Sequence, residues 1–183
     1  SNDTWARDHG GITIFENGRP IVLDFQFNGW GLKFASDKDN LITERLHRAG
    51  HLFGELRNCR NFVFEGGSIE SDGEGTLLTT SECLLSPNRN ATMTRADIEK
   101  YLLDLLGAKQ MLWLDHGYLA GDDTDSHIDT LARLCPNNTI LYVKCDGESD
   151  EHYEALHRME EQLKTFRTLI GEPYRLIALP MAR

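Results

Sequence analysis

Three times along the chain the same order of patterns returns: two short apolar runs about a turn, then a helical period, then one more apolar run. In the first pass, "GITIFENGRPIVLDFQF" (residues 11–27) sets two β-branched runs around Asn17-Gly18, a strong hairpin signal. In "DKDNLITERLHRAGHLF", Leu41, Ile42, Leu46, Ala49 and Leu52 follow a helical period with Gly50 as the stop, and "NFVFEGG" reads as a buried strand. The second pass has a hairpin around Asp72-Gly73, a helix opening at Thr94 with Asp97 in its first turn, and the strand "QMLWLD". The third folds back at Pro136-Asn137-Asn138, continues as a helix from Glu151 that Gly171 is expected to end, and closes on "YRLIALP". The helix starts lie about 57 residues apart, so the repeat is one of architecture, although little residue identity survives.

Units of this kind cannot cover their own apolar faces and must stack, lie side by side as an open α+β sheet, or close into a ring. The expected boundaries are 8–67, 68–125 and 126–183, within a single domain. With 183 residues and 40% hydrophobic content the chain can bury one respectable core. A formal charge of -10 speaks against nucleic acid or an anionic membrane as partner and suits a small cation. No apolar run approaches a membrane span, so a soluble, cytoplasmic protein is expected. Cys59, Cys83, Cys135 and Cys145 show neither zinc-ligand nor dithiol spacing and read as reduced thiols.

The chemically interesting residues fall at the joints between units. "DTWARDHGG" leads into the first unit, "FEGGSIE" joins first to second, and "DDTDSHIDTLARL" (residues 122–134) joins second to third. In an extended stretch Asp123, Asp125, His127 and Asp129 would share one face, a density of like charge that calls for a cation opposite. A carboxylate beside an imidazole raises its pKa and orients it, as a general acid requires. Mixed Asp/His donors also suit divalent ions, and the spacing alone does not separate the two uses. Local readings stand beside these: Arg7 and Asp8 as an ion pair, Glu65 as a strand end, Gly66-Gly67 as a positive-φ turn.

Taken together, "TWARDHG", "FNGWG", "FEGGSIESDGEGTLLTT", "PNRN" and "DDTDSHIDTLAR" resemble the agmatine deiminase and bacterial peptidyl-arginine deiminase family of the guanidine-modifying pentein superfamily, along essentially the whole chain. The resemblance implies an α/β (α+β) propeller of five strand-strand-helix-strand blades, about three of them present here. It implies hydrolysis of a guanidinium to a ureido group and ammonia through a cysteine thiolate, with no metal or other cofactor. By it, Asp8 and Asp129 clamp the planar cation, Glu65 adds a carboxylate near the reacting nitrogens, and His127 is acid and then base. Trp5 and Trp30 line the pocket, and Asp125, with Asp123, reaches the far amine of a diamine-like substrate. Gly11 replaces the proline of many members, a change expected to be harmless.

The family's cysteine lies in a Gly-Gly-Asn-x-His-Cys type motif that none of these residues resembles, and none of the four cysteines is expected beside Glu65 or His127. The chain is therefore expected to be a fragment, inactive alone, whose exposed blade flanks associate into homo-oligomers. Two other readings stay open: a relative that binds guanidino compounds without chemistry, and a metal hydrolase built on the Asp/His row.

Overall fold

The computed structural model describes residues 1–181, so the last two positions of the expected third unit lie outside the described residues. These residues divide into two compact units. Unit 1 contains residues 1–67 together with 86–92, and unit 2 the remainder.

Unit 1 opens with a helical turn α1 (Ala6–His9), followed by β1 (Ile12–Glu16) and β2 (Arg19–Gln26). Asn17 (φ 51°) and Gly18 (φ 75°) both occupy the left-handed region, the hallmark of a two-residue type I′ hairpin, and the register closes at Glu16–Arg19 as expected. After the short turn α2 (Gly29–Leu32), a single 3-10 turn leads into α3 (Ile42–Arg48), which ends before Gly50 at φ 75°. The chain returns as β3 (Glu55–Val63), parallel to β2. Cys59 lies inside this strand, not ahead of it as the residue pattern suggested, because β3 is longer than the apolar core "NFVF". The core is β2 with an aromatic cluster: Phe25 meets Phe62 and Phe64 at ring distances of 6.3 and 4.9 Å. The β2–β3 register slips between Phe25 and Gln26, so that Phe25 faces Cys59 and Gln26 faces Val63. Such an irregularity bends the strand end and redirects the residues beyond it, here Phe64 and Glu65.

Unit 2 contains the other two repeats. β4 (Ile69–Ser71) and β5 (Thr76–Thr80) are antiparallel, and the crossover through α4 (Ser81–Leu84) and α5 (Arg95–Leu106) brings β6 (Gln110–Leu114) parallel to β5. The β4–β5 loop is longer than a two-residue turn, because the Asp72 carboxylate accepts the backbone N–H of Glu74, Gly75 and Thr76 at 2.8, 3.0 and 2.9 Å. Past the turn α6 (Ile128–Leu131), β7 (Ala132–Cys135) and β8 (Thr139–Lys144) form the third hairpin, with Asn137 and Asn138 at positive φ. Helix α7 (Tyr153–Thr165) then crosses to β9 (Arg175–Pro180), parallel to β8. It stops at Thr165, six residues short of Gly171, since Phe166 turns extended and residues 167–173 close a small bridge of their own. Leu78, Leu114, Ile128, Ile140, Leu156 and Met159 are the heart of one apolar core.

The described residues thus form three separate three-stranded sheets, each with one antiparallel and one parallel pair, instead of one continuous sheet. Among them no helix is long and apolar enough to cross a membrane.

Helix α5 starts on a complete capping box. The Thr94 hydroxyl accepts from Asp97 N–H at 3.2 Å, and the Asp97 carboxylate accepts from Thr94 N–H at 2.9 Å. Bonds from the Thr94 side chain and backbone hold Asp97 below the usual carboxylate range. A lowered folded-state value means that this contribution is present at neutral pH and lost as pH falls through it. Thr94→Ala is expected to lower Tm by about 2–4 °C at pH 7 and by less at pH 2.5, measured by circular dichroism melting.

Candidate functional site

In unit 1, α1 presents Asp8 to two donors that share no strand with it. Trp30 Nε1 donates to Asp8 Oδ2 at 3.0 Å, and Gly67 N–H donates to Oδ1 at 2.9 Å. Asp8 is buried, so these donors replace the water a carboxylate loses. Trp30 is placed by a strained turn. Its own φ is 55° and that of Gly31 is 80°, while Asn28 accepts from Gly31 N–H at 2.9 Å. The indole also packs edge-on against Phe27 at 5.0 Å, so Trp30 is both core and site. Trp5, by contrast, is 66% exposed.

The glycines after Glu65 are not the positive-φ turn considered from sequence. Neither Gly66 nor Gly67 has a left-handed φ. Gly66 lacks a side chain because a Cβ there would lie 2.1 Å from the Arg7 carbonyl oxygen. Backbone against backbone at this point is what delivers Gly67 N–H to Asp8.

Glu65 is fully buried and meets Arg89, whose side chain is likewise 0% exposed. Arg89 Nε donates to both carboxylate oxygens at 3.1 Å, and Nη2 reaches Oε2 at 3.0 Å. The residues around Arg89 are tied down as well. Asn90 accepts from Val63 N–H at 3.0 Å and donates to Val63 O at 2.8 Å, and Asn28 donates to the Asn88 carbonyl at 2.8 Å.

In unit 2 the acidic run departs from its expected form. Residues 123–127 are a loop, not a strand, and Asp129 sits in the first turn of α6, so the alternating face of Asp123, Asp125, His127 and Asp129 does not exist. Asp122 breaks it up by folding the chain onto its own carboxylate: Oδ1 accepts from Thr124 N–H at 2.8 Å and from the Thr124 hydroxyl, and Oδ2 accepts from Ser126 N–H at 2.9 Å. Asp125 (φ 64°) and Ser126 (φ 62°) adopt the left-handed region, which costs non-glycine residues about 1 kcal/mol or more each. Thr80 completes the arrangement by donating to Ser126 O at 2.6 Å. The result is a 2%-exposed His127, whose N–H donates to the Thr124 hydroxyl at 3.1 Å. Asp125 and Asp129 are half-buried and Asp123 is exposed.

One expectation about cysteine is corrected here. Cys83, fully buried in α4, offers its sulfur within 4.8 Å of a ring nitrogen of His127. The apolar pattern of "ECLLS" located a core residue but not its neighbour, which comes from a loop more than forty residues away. None of the four cysteines forms a disulfide among the described residues.

The residues that sequence reasoning left without a role are Arg89, Asn90, Asp122 and Thr80. Arg89 and Asn90 belong to "PNRN", noticed only as a pattern, and Asp122 is the first carboxylate of the run, outside the alternating set.

Over residues 1–183 the sequence matches the family described as Porphyromonas-type peptidyl-arginine deiminase. A curated protein of Legionella pneumophila named "Putative agmatine deiminase" is 36% identical over 178 residues, 94% of this chain and 49% of its own length. Among solved structures, one named "Putative Arginine Deiminase" from Porphyromonas gingivalis is 58% identical with a TM-score of 0.96, covering 99% of this chain and 54% of its own. A C. jejuni agmatine deiminase with substrate bound is 46% identical with a TM-score of 0.92, covering 100% and 53%. The chain spans about half the length of the curated relatives it matches.

Because Asp122 alone supplies three of the bonds that hold the His127 loop, Asp122→Ala is expected to speed amide hydrogen exchange at Thr124 and Ser126 at least about 10-fold. Exchange at both sites equal to that of the unaltered chain would remove Asp122 from this role.

Proposed function

The chain belongs to the Porphyromonas-type peptidyl-arginine deiminase family, and from that premise we propose that its residues supply the cation-binding and proton-transfer side of a guanidinium deiminase. On this reading they form about three blades of a five-bladed propeller, and the nucleophilic cysteine lies in further sequence. The substrate class is a guanidino compound, agmatine or a (peptidyl)arginine side chain. The observation that carries the reading is Asp8: a buried carboxylate oriented by Gly67 N–H and the Trp30 indole. Planar guanidinium ions are matched by carboxylates that accept their N–H groups in pairs.

These roles define the chemistry. A thiolate adds to the central guanidinium carbon, and the C–N bond to one terminal nitrogen breaks while His127 gives that nitrogen the proton with which it leaves as ammonia. His127 then takes a proton from water as the oxygen adds to the amidino carbon. The C–S bond breaks as the added hydroxyl gives its remaining proton to solvent, the thiolate is restored and a neutral ureido group remains. Asp8 and Asp129 hold the cation throughout, Glu65 adds negative charge near the reacting nitrogens, Trp30 shields the Asp8 carboxylate, and Trp5, Asp125 and Asp123 meet the remainder of the substrate.

Cys83 is next to His127, yet it is 0% exposed, and attack requires a sulfur that a substrate carbon can reach. In the complete polypeptide, ammonia release from agmatine and from arginine peptides is expected, with Asp8→Asn lowering kcat/KM at least about 100-fold and His127→Ala lowering kcat by about 100-fold or more. Cys83→Ser is expected to keep activity within about 10-fold, and the 183 residues alone to release none. Binding of agmatine by the complete polypeptide without ammonia release would replace the enzyme by a guanidino-binding relative, and loss of all turnover in Cys83→Ser would move the nucleophile to Cys83.

A further inference from the structure

Between β6 and α6 of unit 2 the chain runs through residues 115–127 without strand or helix, and this long loop ends on the His127 segment. Both of its ends are tied. Gln162 on α7 accepts from Asp115 N–H at 2.8 Å and donates to the Asp115 carboxylate at 2.9 Å, while Asp122 and Thr80 hold residues 124–126. The exposed tip, at Tyr118 and Ala120, meets a different residue: His152, at the start of α7. We propose that His152 is a positioning residue, a latch whose ring is held in the neutral Nδ1–H form and fixes the loop tip, so that Asp123 and Asp125 stand ready for the far end of the substrate. The substrate clause rests on the deiminase reading, but the latch itself does not.

The tautomer follows from what the ring faces. Ala120 N–H donates to His152 Nε2 at 2.9 Å, and a backbone amide can only donate, so Nε2 carries a lone pair and no proton. A neutral imidazole then bears its hydrogen on Nδ1, which donates to Asp150 Oδ1 at 2.6 Å. The same oxygen accepts the backbone N–H of His152 at 2.9 Å, and these bonds hold Asp150 below the usual carboxylate range. Both ring nitrogens are therefore committed. A proton added at Nε2 would set one N–H against another, and the loop tip would lose its acceptor. Tyr118 covers a face of the ring, stacked on it at 5.8 Å and 22°.

The latch joins a rigid element to an irregular one. Helix α7 is seated through the buried Leu156, Met159 and Leu163, and Leu156 N–H donates to the His152 carbonyl at 2.9 Å. Beyond Ala120, Asp122 N–H donates to the Leu119 carbonyl at 3.2 Å, which couples the tip to the carboxylate that shapes residues 124–126. His127 is buried behind the Asp122 and Thr80 bonds, whereas Asp123 is exposed and close to the tip in sequence. Loss of the latch should accordingly disturb substrate binding more than proton transfer.

The test uses the complete polypeptide, isotope-labelled at histidine and alanine nitrogens. NMR is expected to place the His152 ring proton on Nδ1 and to show scalar coupling across the bond from Ala120 N–H to Nε2. A proton resident on Nε2 would overturn the latch. His152→Phe keeps a ring against Tyr118 but offers no acceptor, and is expected to speed amide exchange at Ala120 at least about 10-fold. His152→Gln, whose side-chain oxygen can take the place of Nε2, is expected to restore most of that protection. Unchanged exchange at Ala120 in His152→Phe would also overturn the latch. For the positioning role, ammonia release is read with agmatine and with n-butylguanidine, which has the guanidinium but no far amine. His152→Phe is expected to raise KM for agmatine about 5-fold or more while kcat changes less than about 3-fold, and to leave kcat/KM for n-butylguanidine within about 2-fold. His152→Gln is expected to recover most of the KM. Equal losses on the two substrates, or a fall in kcat alone, would contradict the positioning role. Absence of ammonia release from the unaltered polypeptide would count against the deiminase reading, and the ring proton and the exchange at Ala120 would still decide the latch.

Discussion

Of the carboxylates buried in unit 1, Asp8 and Glu65 belong to the candidate site, and the fold around them is arranged by how each negative charge is met. Asp8 is met by neutral donors, the Gly67 amide and the Trp30 indole, and Glu65 by a guanidinium. These are different electrostatic solutions with different consequences. Neutral donors such as these stabilise an anion without cancelling its field. Glu65 instead meets a buried guanidinium through Nε and Nη2, a charged partner in place of a neutral one. Much of the irregular geometry in unit 1 serves one arrangement or the other. The left-handed Trp30, the register slip after Phe25, the close approach of Gly66 to Arg7 and the return of residues 86–92 each bring a donor to a carboxylate or set its angle.

The His127 loop of unit 2 is built from the same kind of economy. Asp122 turns its carboxylate inward to satisfy the N–H groups of a strained segment, which leaves Asp125, His127 and Asp129 to be placed by backbone geometry and not by strand alternation. That strain is tolerated because Thr80 and Asp122 over-determine the loop from two sides.

The regular architecture was legible from residue order alone. Asn17-Gly18 demands a primed turn, Thr94 and Asp97 make a capping box, and Gly50 and Gly107 sit just beyond helix ends; each is a local rule obeyed locally. The errors arose where a side chain overrode a period. The alternating Asp/His pattern looked like a strand because side-chain spacing carries no information about Asp122 capturing Thr124 and Ser126. Gly171 looked like a helix stop, but Phe166 had already ended the helix. The site was legible in its residue types and much less in its partners. Nothing in the spacing of Glu65 and Arg89, or of Cys83 and His127, announces that they meet, since loops bring them together across 24 and 44 residues.

Where a flat cation settles decides between this arrangement and any other. A crystal structure of the complete polypeptide with agmatine bound should show guanidinium nitrogens within about 3 Å of the Asp8 carboxylate, with the Trp30 and Gly67 bonds to that carboxylate intact and Glu65 still gripped by Arg89. Agmatine bound away from Asp8, or bound there only after Trp30 and Gly67 have let the carboxylate go, would contradict it.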